Sequence, residues 1–180
     1  AERGHKATTV HQHFRVIKSL LRWYEREAEP DGWRNPIARV KAPRLPEEPL
    51  EPAAVEDVRA MLAACGQDPL GLRDRAMLLT LLDTGLRASE LTALDMGDLD
   101  AVTGSLTVRR GKGAKSRVVF TGKVSRKAIR AYLRTRESGG PLFATRSRER
   151  MTRMGLRSMI ARRAREAGVV SPPSPHAFRR

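Results

Sequence analysis

Aromatic residues are scarce in this sequence: phenylalanine, tryptophan and tyrosine together make up 4% of its 180 residues. A protein that reads single-stranded nucleic acid by stacking bases on its side chains needs more of them, and no aromatic box of the RNA-recognition type is present. Cysteine occurs once, as Cys65, which excludes an internal disulfide and leaves no zinc-type ligand spacing with the scattered histidines. His11 and His13 stand two apart on a predicted helix, point to different faces and make poor metal partners. No apolar run approaches the roughly 20 residues of a membrane span. No charged-then-apolar leader opens the chain, which starts at Ala1 without an initiator methionine, as a processed or excised chain would. A cytoplasmic location and no membrane partner are expected. What remains is 40% hydrophobic and 31% charged, the composition of a folded globular chain rather than a disordered one.

Acidic residues are also lacking, but only in one half. Residues 1–100 hold 14 Lys and Arg against 17 Asp and Glu; residues 101–180 hold 21 against 3. The second half therefore carries +18 of the net +15, offset by −3 in the first. Of the 35 basic residues 28 are arginine, whose planar fork matches phosphate oxygens. A basic surface of this kind is ordinarily just solvated, yet an imbalance this large points to a polyanionic partner, nucleic acid first and anionic membrane second.

The hydrophobic period reads as helix over Thr8 to Ala28, with Val10, Phe14, Ile17, Leu21, Tyr24 and Ala28 on one face. Tyr24 is thereby expected in a core. Arg15, Lys18, Arg22 and Arg26 form a second, positive stripe, which suits either the wet side of a helix or a DNA backbone. Pro30-Asp31-Gly32 ends that helix. The stretch Lys41 to Pro52 holds four prolines, which favours an extended connector, so the expected division is a helical segment 1–42, a proline-rich linker 43–52 and a second domain 53–180. In that domain helices are expected over Ala53–Ala64, Leu72–Thr84 (largely apolar, hence central), Ser89–Leu94, Val124–Arg136 and Arg153–Ala167. Short strands Ser105–Arg110 and Arg117–Phe120 flank a hairpin turn, Leu142–Ala144 is a further brief strand, and a new helix starts at His176.

The turn Gly111 to Ser116 is no nucleotide-binding loop, because Ala114 stands before Lys115 where that loop needs glycine. No Ser-His-Asp set suggests itself. What is left is a group of separated cations, each placed at a chain reversal: Arg87 behind the helix-ending Gly85, Lys112 in the hairpin turn, and His176 and Arg179 three apart. Two arginines, a lysine and a histidine without metal or cofactor suit the gripping of a phosphodiester and the management of its protons. Singly, each is more often a surface charge.

In this order the motifs resemble the tyrosine recombinase, or phage integrase, family, closest to its Xer-type members. Thr84-Gly85-Leu86-Arg87-Ala88-Ser89-Glu90-Leu91 is similar to its first-arginine box, Gly111-Lys112-Gly113-Ala114-Lys115-Ser116-Arg117 to its lysine-bearing hairpin, and Ser174-Pro175-His176-Ala177-Phe178-Arg179-Arg180 to its His-x-x-Arg box. The helix from Arg73-Asp74-Arg75 matches too. The resemblance implies an α+β, predominantly α-helical catalytic domain with a small antiparallel sheet, preceded by the C-terminal part of a helical core-binding domain. It implies DNA breaking and rejoining through a 3′-phosphotyrosyl intermediate, with no cofactor or metal. Arg87 and Arg179 would hold the scissile phosphate, Lys112 would protonate the leaving 5′ oxygen, His176 would manage the tyrosine proton and Glu90 would support the site. Lys115 is the rival of Lys112, whose motif position is the better. Double-stranded DNA is the expected partner, touched by Arg15, Lys18, Arg22, Lys115, Arg117, Arg153 and Arg157. The resemblance further implies a bacterial or phage-encoded parent that assembles as a tetramer on DNA, against a monomeric fragment.

The departures carry weight. The family continues beyond its His-x-x-Arg box to the nucleophilic tyrosine, whereas the sequence ends at Arg180 and its tyrosines, Tyr24 and Tyr132, match neither expected position. The expectation is a fragment that binds DNA and does not cleave it. The rival reading is a non-catalytic DNA-binding protein or a decayed integrase remnant.

Overall fold

Two stretches of helix-forming sequence separated by prolines fold as two units, Ala1–Pro49 and Leu50–Arg180. The computed structural model describes residues 5–28, 31–45, 51–109 and 116–179.

In the first unit α1 runs Ala7–Ala28, and the chain then turns back through residues 31–45. Asn35 organises that turn: its Oδ1 accepts from the Ile37 N–H at 3.2 Å, and its Nδ2 donates to Glu25 at 2.8 Å. The His11 ring donates to the Pro43 carbonyl at 2.9 Å. No described residue of α1 is buried. Tyr24, expected in a core, is instead 41% exposed and packs only edge-on against Trp33, at 5.3 Å between ring centres. The reason is supply of partners. An apolar stripe is covered only by another element, and among the described residues of this unit α1 has just the return segment.

The second unit is mostly helical with one small sheet. Its elements are α2 (Val55–Ala63), α3 (Pro69–Thr84), α4 (Ala88–Ala93), a 3₁₀ turn at Met96–Asp98, strands β1 (Ser105–Val108) and β2 (Arg117–Phe120), α5 (Lys123–Leu133), α6 (Arg153–Glu166) and a second 3₁₀ turn at Ala177–Arg179. The strands pair antiparallel, Ser105 opposite Phe120 and Val108 opposite Arg117. Leu142–Ala144, expected as a strand, is flanked by single bridges only, Asp95 with Pro141 and Ala144 with Arg150. Among the described residues no neighbouring segment pairs with it beyond these single bridges. The helix expected from His176 is a single 3₁₀ turn.

α3 is the centre of this unit. Ala76, Met77, Leu78 and Leu81 are fully buried, as a helix that is apolar nearly all round must be. α5 packs along it, and α6 spans to α2 and α4. Pro69 starts α3 where its missing N–H costs nothing. Two residues later Gly71 presses on the preceding turn: a Cβ there would sit 2.3 Å from the Gly66 carbonyl oxygen. Gly71→Ala is therefore expected to destabilise by about 1–3 kcal/mol through overpacking, although alanine is the better helix former by roughly 1 kcal/mol. Urea unfolding decides between the two effects, and a stabilised variant would show that the turn yields.

Candidate functional site

The site is built at the C-terminal end of α3. Gly85, at φ +57°, breaks the helix in the left-handed conformation, and its N–H still donates to the Leu81 carbonyl at 2.9 Å. Leu86 is fully buried and fixes the reversed chain, so Arg87 emerges at the start of α4. The Arg179 backbone lies against this turn: a Cβ built on Gly85 would stand 3.9 Å from the Cα of Arg179, an ordinary van der Waals distance. The fold thus sets two segments more than 90 residues apart against each other, one carrying Arg87 and the other Arg179.

The second segment is held by its own core anchors. Phe178 is 2% exposed, and the Ala177 carbonyl accepts the Ala53 N–H at 3.1 Å. With Ala177 and Phe178 turned inward, His176 and Arg179 both face solvent. Their shared 3₁₀ turn is closed by the Arg179 N–H on the His176 carbonyl at 3.1 Å.

Glu90 is the organising charge. One α-helical turn after Arg87, its carboxylate accepts the Arg87 backbone N–H at 2.8 Å and the Arg87 Nη1 at 2.9 Å. From β2, Arg117 donates both terminal nitrogens to the same carboxylate, at 3.0 and 2.7 Å. Glu90 is 5% exposed. The Arg117 fork, with the Arg87 donors behind it, outweighs burial and holds its carboxyl at about 2, well below the usual carboxylate range. Arg117, one of the expected DNA contacts, places both terminal nitrogens on Glu90, and its side chain stays 38% exposed. A charged residue in an otherwise apolar strand, Arg117-Val118-Val119-Phe120, is the sequence signal for such an internal role. Of the Arg87 guanidinium only Nη1 donates to Glu90, and the side chain stays 36% exposed.

Nearby, Asp98 pairs with Arg109, and Asp95 with Arg150, contacts that sequence reasoning did not anticipate. Lys112 and Lys115 lie outside the described residues. Arg153 and Arg157 are exposed on the first turns of α6, behind Thr152, whose hydroxyl accepts the Gly155 N–H at 3.0 Å. Arg15 and Arg22 are exposed and Lys18 half-buried on α1, in the other unit. Among the described residues no group of three His, Cys, Asp or Glu side chains is placed to share a metal ion, and no helix is long and apolar enough to cross a membrane.

Residues 53–180 match the model of the phage integrase family. The chain belongs to the phage integrase family. Among curated relatives, tyrosine recombinase XerC of Pelotomaculum thermopropionicum is 34% identical over 99% of this chain and 61% of its own length. Tyrosine recombinase XerD of Ralstonia nicotianae is 35% identical over 96% of this chain and 58% of its own. The chain thus spans about three-fifths of the length of these relatives. A solved structure of a lambda integrase (75-356) dimer bound to a COC′ core site superposes with a TM-score of 0.77 at 15% identity, covering 96% of this chain and 64% of that one; the likeness is one of fold. The α+β, predominantly helical architecture of this chain, with its two-stranded antiparallel sheet, is that of the family's catalytic domain.

Proposed function

We propose that this integrase chain is the DNA-gripping part of a site-specific tyrosine recombinase. In this reading residues 1–42 belong to a core-binding domain, 43–52 are a linker, and 53–180 belong to the catalytic domain. The observation that carries the proposal is the packing of the Arg179 segment on Gly85, two residues from Arg87, at one exposed, cationic end of the second unit. Membership of the family supports the direction of the chemistry.

The partner is double-stranded DNA. Arg87 and Arg179 hold the non-bridging oxygens of the scissile phosphate and neutralise the charge that grows on them as a tyrosine oxygen attacks phosphorus and the 5′ oxygen departs. Lys112 gives a proton to that departing oxygen, with Lys115 the alternative donor, and His176 takes up the phenol proton. Glu90 is a positioning residue acting through Arg87. Arg153 and Arg157, with Arg15, Lys18 and Arg22, meet the sugar-phosphate backbone. The parent acts in the cytoplasm of a bacterium, encoded by it or by a phage, and assembles as a tetramer on DNA, while this chain alone is a monomer.

The attacking phenol is neither tyrosine of this chain. Tyr132 is 5% exposed, stacks on Phe143, and its oxygen accepts the Ala144 N–H and an Arg136 N–H, each at 3.2 Å. Tyr24 sits on α1, in the unit that lacks Arg87. The 180-residue chain is therefore expected to bind nicked duplex and yield no adduct that survives denaturation. A protein of the relatives' full length, containing this chain, is expected to yield one on its cognate site, and Arg87→Ala there is expected to slow its formation by on the order of 10²–10³-fold. An adduct through Tyr24 or Tyr132, or an unaffected Arg87→Ala protein, overturns the proposal.

A further inference from the structure

The outward face of α5 carries a charge arrangement that the site above does not use. At 100° per residue, Lys123, Arg126, Lys127, Arg130 and Arg134, the residue that caps the helix, fall within an arc of roughly 100°. The buried Ser125, Ala128, Ile129 and Tyr132 occupy the opposite side, against α3. Lys123, Lys127, Arg130 and Arg134 are exposed and Arg126 is half-buried. Among the described residues no carboxylate lies within 4.0 Å of any of the five cations. Arg126 reaches the Val102 and Thr103 carbonyls at 3.2 Å, and Arg130 the Ala101 carbonyl at 2.6 Å. Among the described residues Lys123, Lys127 and Arg134 have no such contact, and they lie nearly in line, at i, i+4 and i+11.

Such a stripe is unfavourable by itself. Lys123–Lys127, Arg126–Arg130 and Arg130–Arg134 are like-charge pairs four apart, each of which weakens the helix. The neighbouring carboxylates, Asp83 at the end of α3 and Asp100 on the turn before β1, form no ion pair with it: Asp83 accepts the Gly122 N–H at 2.6 Å, and Asp100 the Val102 N–H at 2.8 Å and the Thr103 hydroxyl at 2.7 Å. A cationic face with no internal counter-charge is complementary to an external polyanion. Its length selects the kind: eleven residues at 1.5 Å rise span about 16 Å, over which a duplex presents a phosphate charge every ~1.7 Å of axis.

We infer that the α5 face is a second, sequence-independent contact for the phosphate backbone of duplex DNA, separate from the Arg87–Arg179 site. It begins beside that site, where the Gly122 N–H is bonded to Asp83 two residues before Gly85, and runs back along α3 to the far end of the unit. There Tyr132 and Arg73 meet at Ala144. The inference rests on the DNA-binding reading of this chain.

The test measures binding of the 180-residue chain to a duplex of arbitrary sequence across a salt series. Lys127→Gln, then Lys123→Gln/Lys127→Gln, then the triple variant with Arg134→Gln should each flatten the slope of log affinity against log salt by about 0.9 per charge removed, about 2.7 in all. The charge-keeping Lys123→Arg/Lys127→Arg/Arg134→Lys variant should keep the slope. Thermal unfolding of the triple variant at or above the wild-type temperature is expected, since like-charge pairs are relieved. Salt-dependent binding whose slope the triple variant leaves unchanged overturns the inference and leaves the DNA-binding reading standing. No salt-dependent binding by the wild-type chain overturns both. A triple variant that loses affinity for polyglutamate but not for duplex assigns the face to an acidic protein instead, and likewise overturns it.

Discussion

Asp74→Asn is expected to lower the stability of the larger unit by about 3–5 kcal/mol, the range found when one member of a buried ion cluster is removed. For a unit of this size that corresponds to a fall in Tm of roughly 10–20 °C, read by circular dichroism. Asp74 is wholly buried on α3. Its Oδ1 accepts from Arg73 Nε and Nη2 at 2.9 and 2.6 Å. Its Oδ2 accepts from Arg162 Nη2 at 2.7 Å and from Arg163 Nε at 2.9 Å. Asparagine keeps the shape but removes the charge and turns one acceptor into a donor facing other donors. Arg73 and Arg163, 5% and 8% exposed, would then be buried cations without their main counter-ion; Glu166 pairs with Arg163 at 2.7 Å and with Arg162 at 4.0 Å, and neither contact serves Arg73. Because desolvation is the dominant cost, Arg73→Met/Asp74→Leu/Arg163→Met is expected to recover much of the loss by removing the buried charges together. A Tm for Asp74→Asn within about 2 °C of wild type contradicts this account.

That cluster also marks where sequence reading stops. The Arg73-Asp74-Arg75 run is visible in the sequence as part of a family-like helix, and the apolar positions of α3 show that the helix is central. Nothing local says that Asp74 faces inward, because its partners on α6 lie 88 and 89 residues away. The same holds for Glu90. Its contact with Arg87, three residues away, is readable from helical spacing, whereas the Arg117 fork arrives through the register of β2. Elements set by local periodicity and by Gly85 or Gly168, which closes α6 at φ +72°, are legible. Tyr24 is the opposite case: amphipathic spacing shows that a face is apolar without showing that anything covers it. The α5 stripe is legible as charge, but its lack of counter-ions is a tertiary fact. Arg87 and Arg179 are likewise named by their motifs, while the contact of the Arg179 backbone with Gly85 comes from the packing of Phe178 into the core.

Glu90→Gln is expected to lower stability by about 2 kcal/mol at neutral pH, with a pH signature that a merely structural loss would lack. Holding a carboxyl at about 2 against its ordinary 4.5 corresponds to about 3 kcal/mol. Solvent screening reduces this, because the Arg87 and Arg117 side chains are 36% and 38% exposed. The folded-state pKa is depressed, so the stabilisation is complete above the unfolded value near 4.5 and disappears as pH falls through about 2. Glutamine does not titrate there. The gap between wild type and variant in urea unfolding should therefore be constant above pH 5, narrow below pH 4.5 and close near pH 2. Duplex affinity should not fall with it, since the change removes a negative charge from a cationic site. Arg87, however, loses one of the two acceptor oxygens that fix its backbone N–H and its Nη1 and meets an amide donor in its place, so in a full-length protein Glu90→Gln should slow adduct formation more than it weakens binding. That split is what a positioning role requires, and equal losses in both would assign Glu90 to the DNA contact itself. A stability gap that persists at pH 2 would mean that the lost energy came from packing rather than from the charge held between the two arginines.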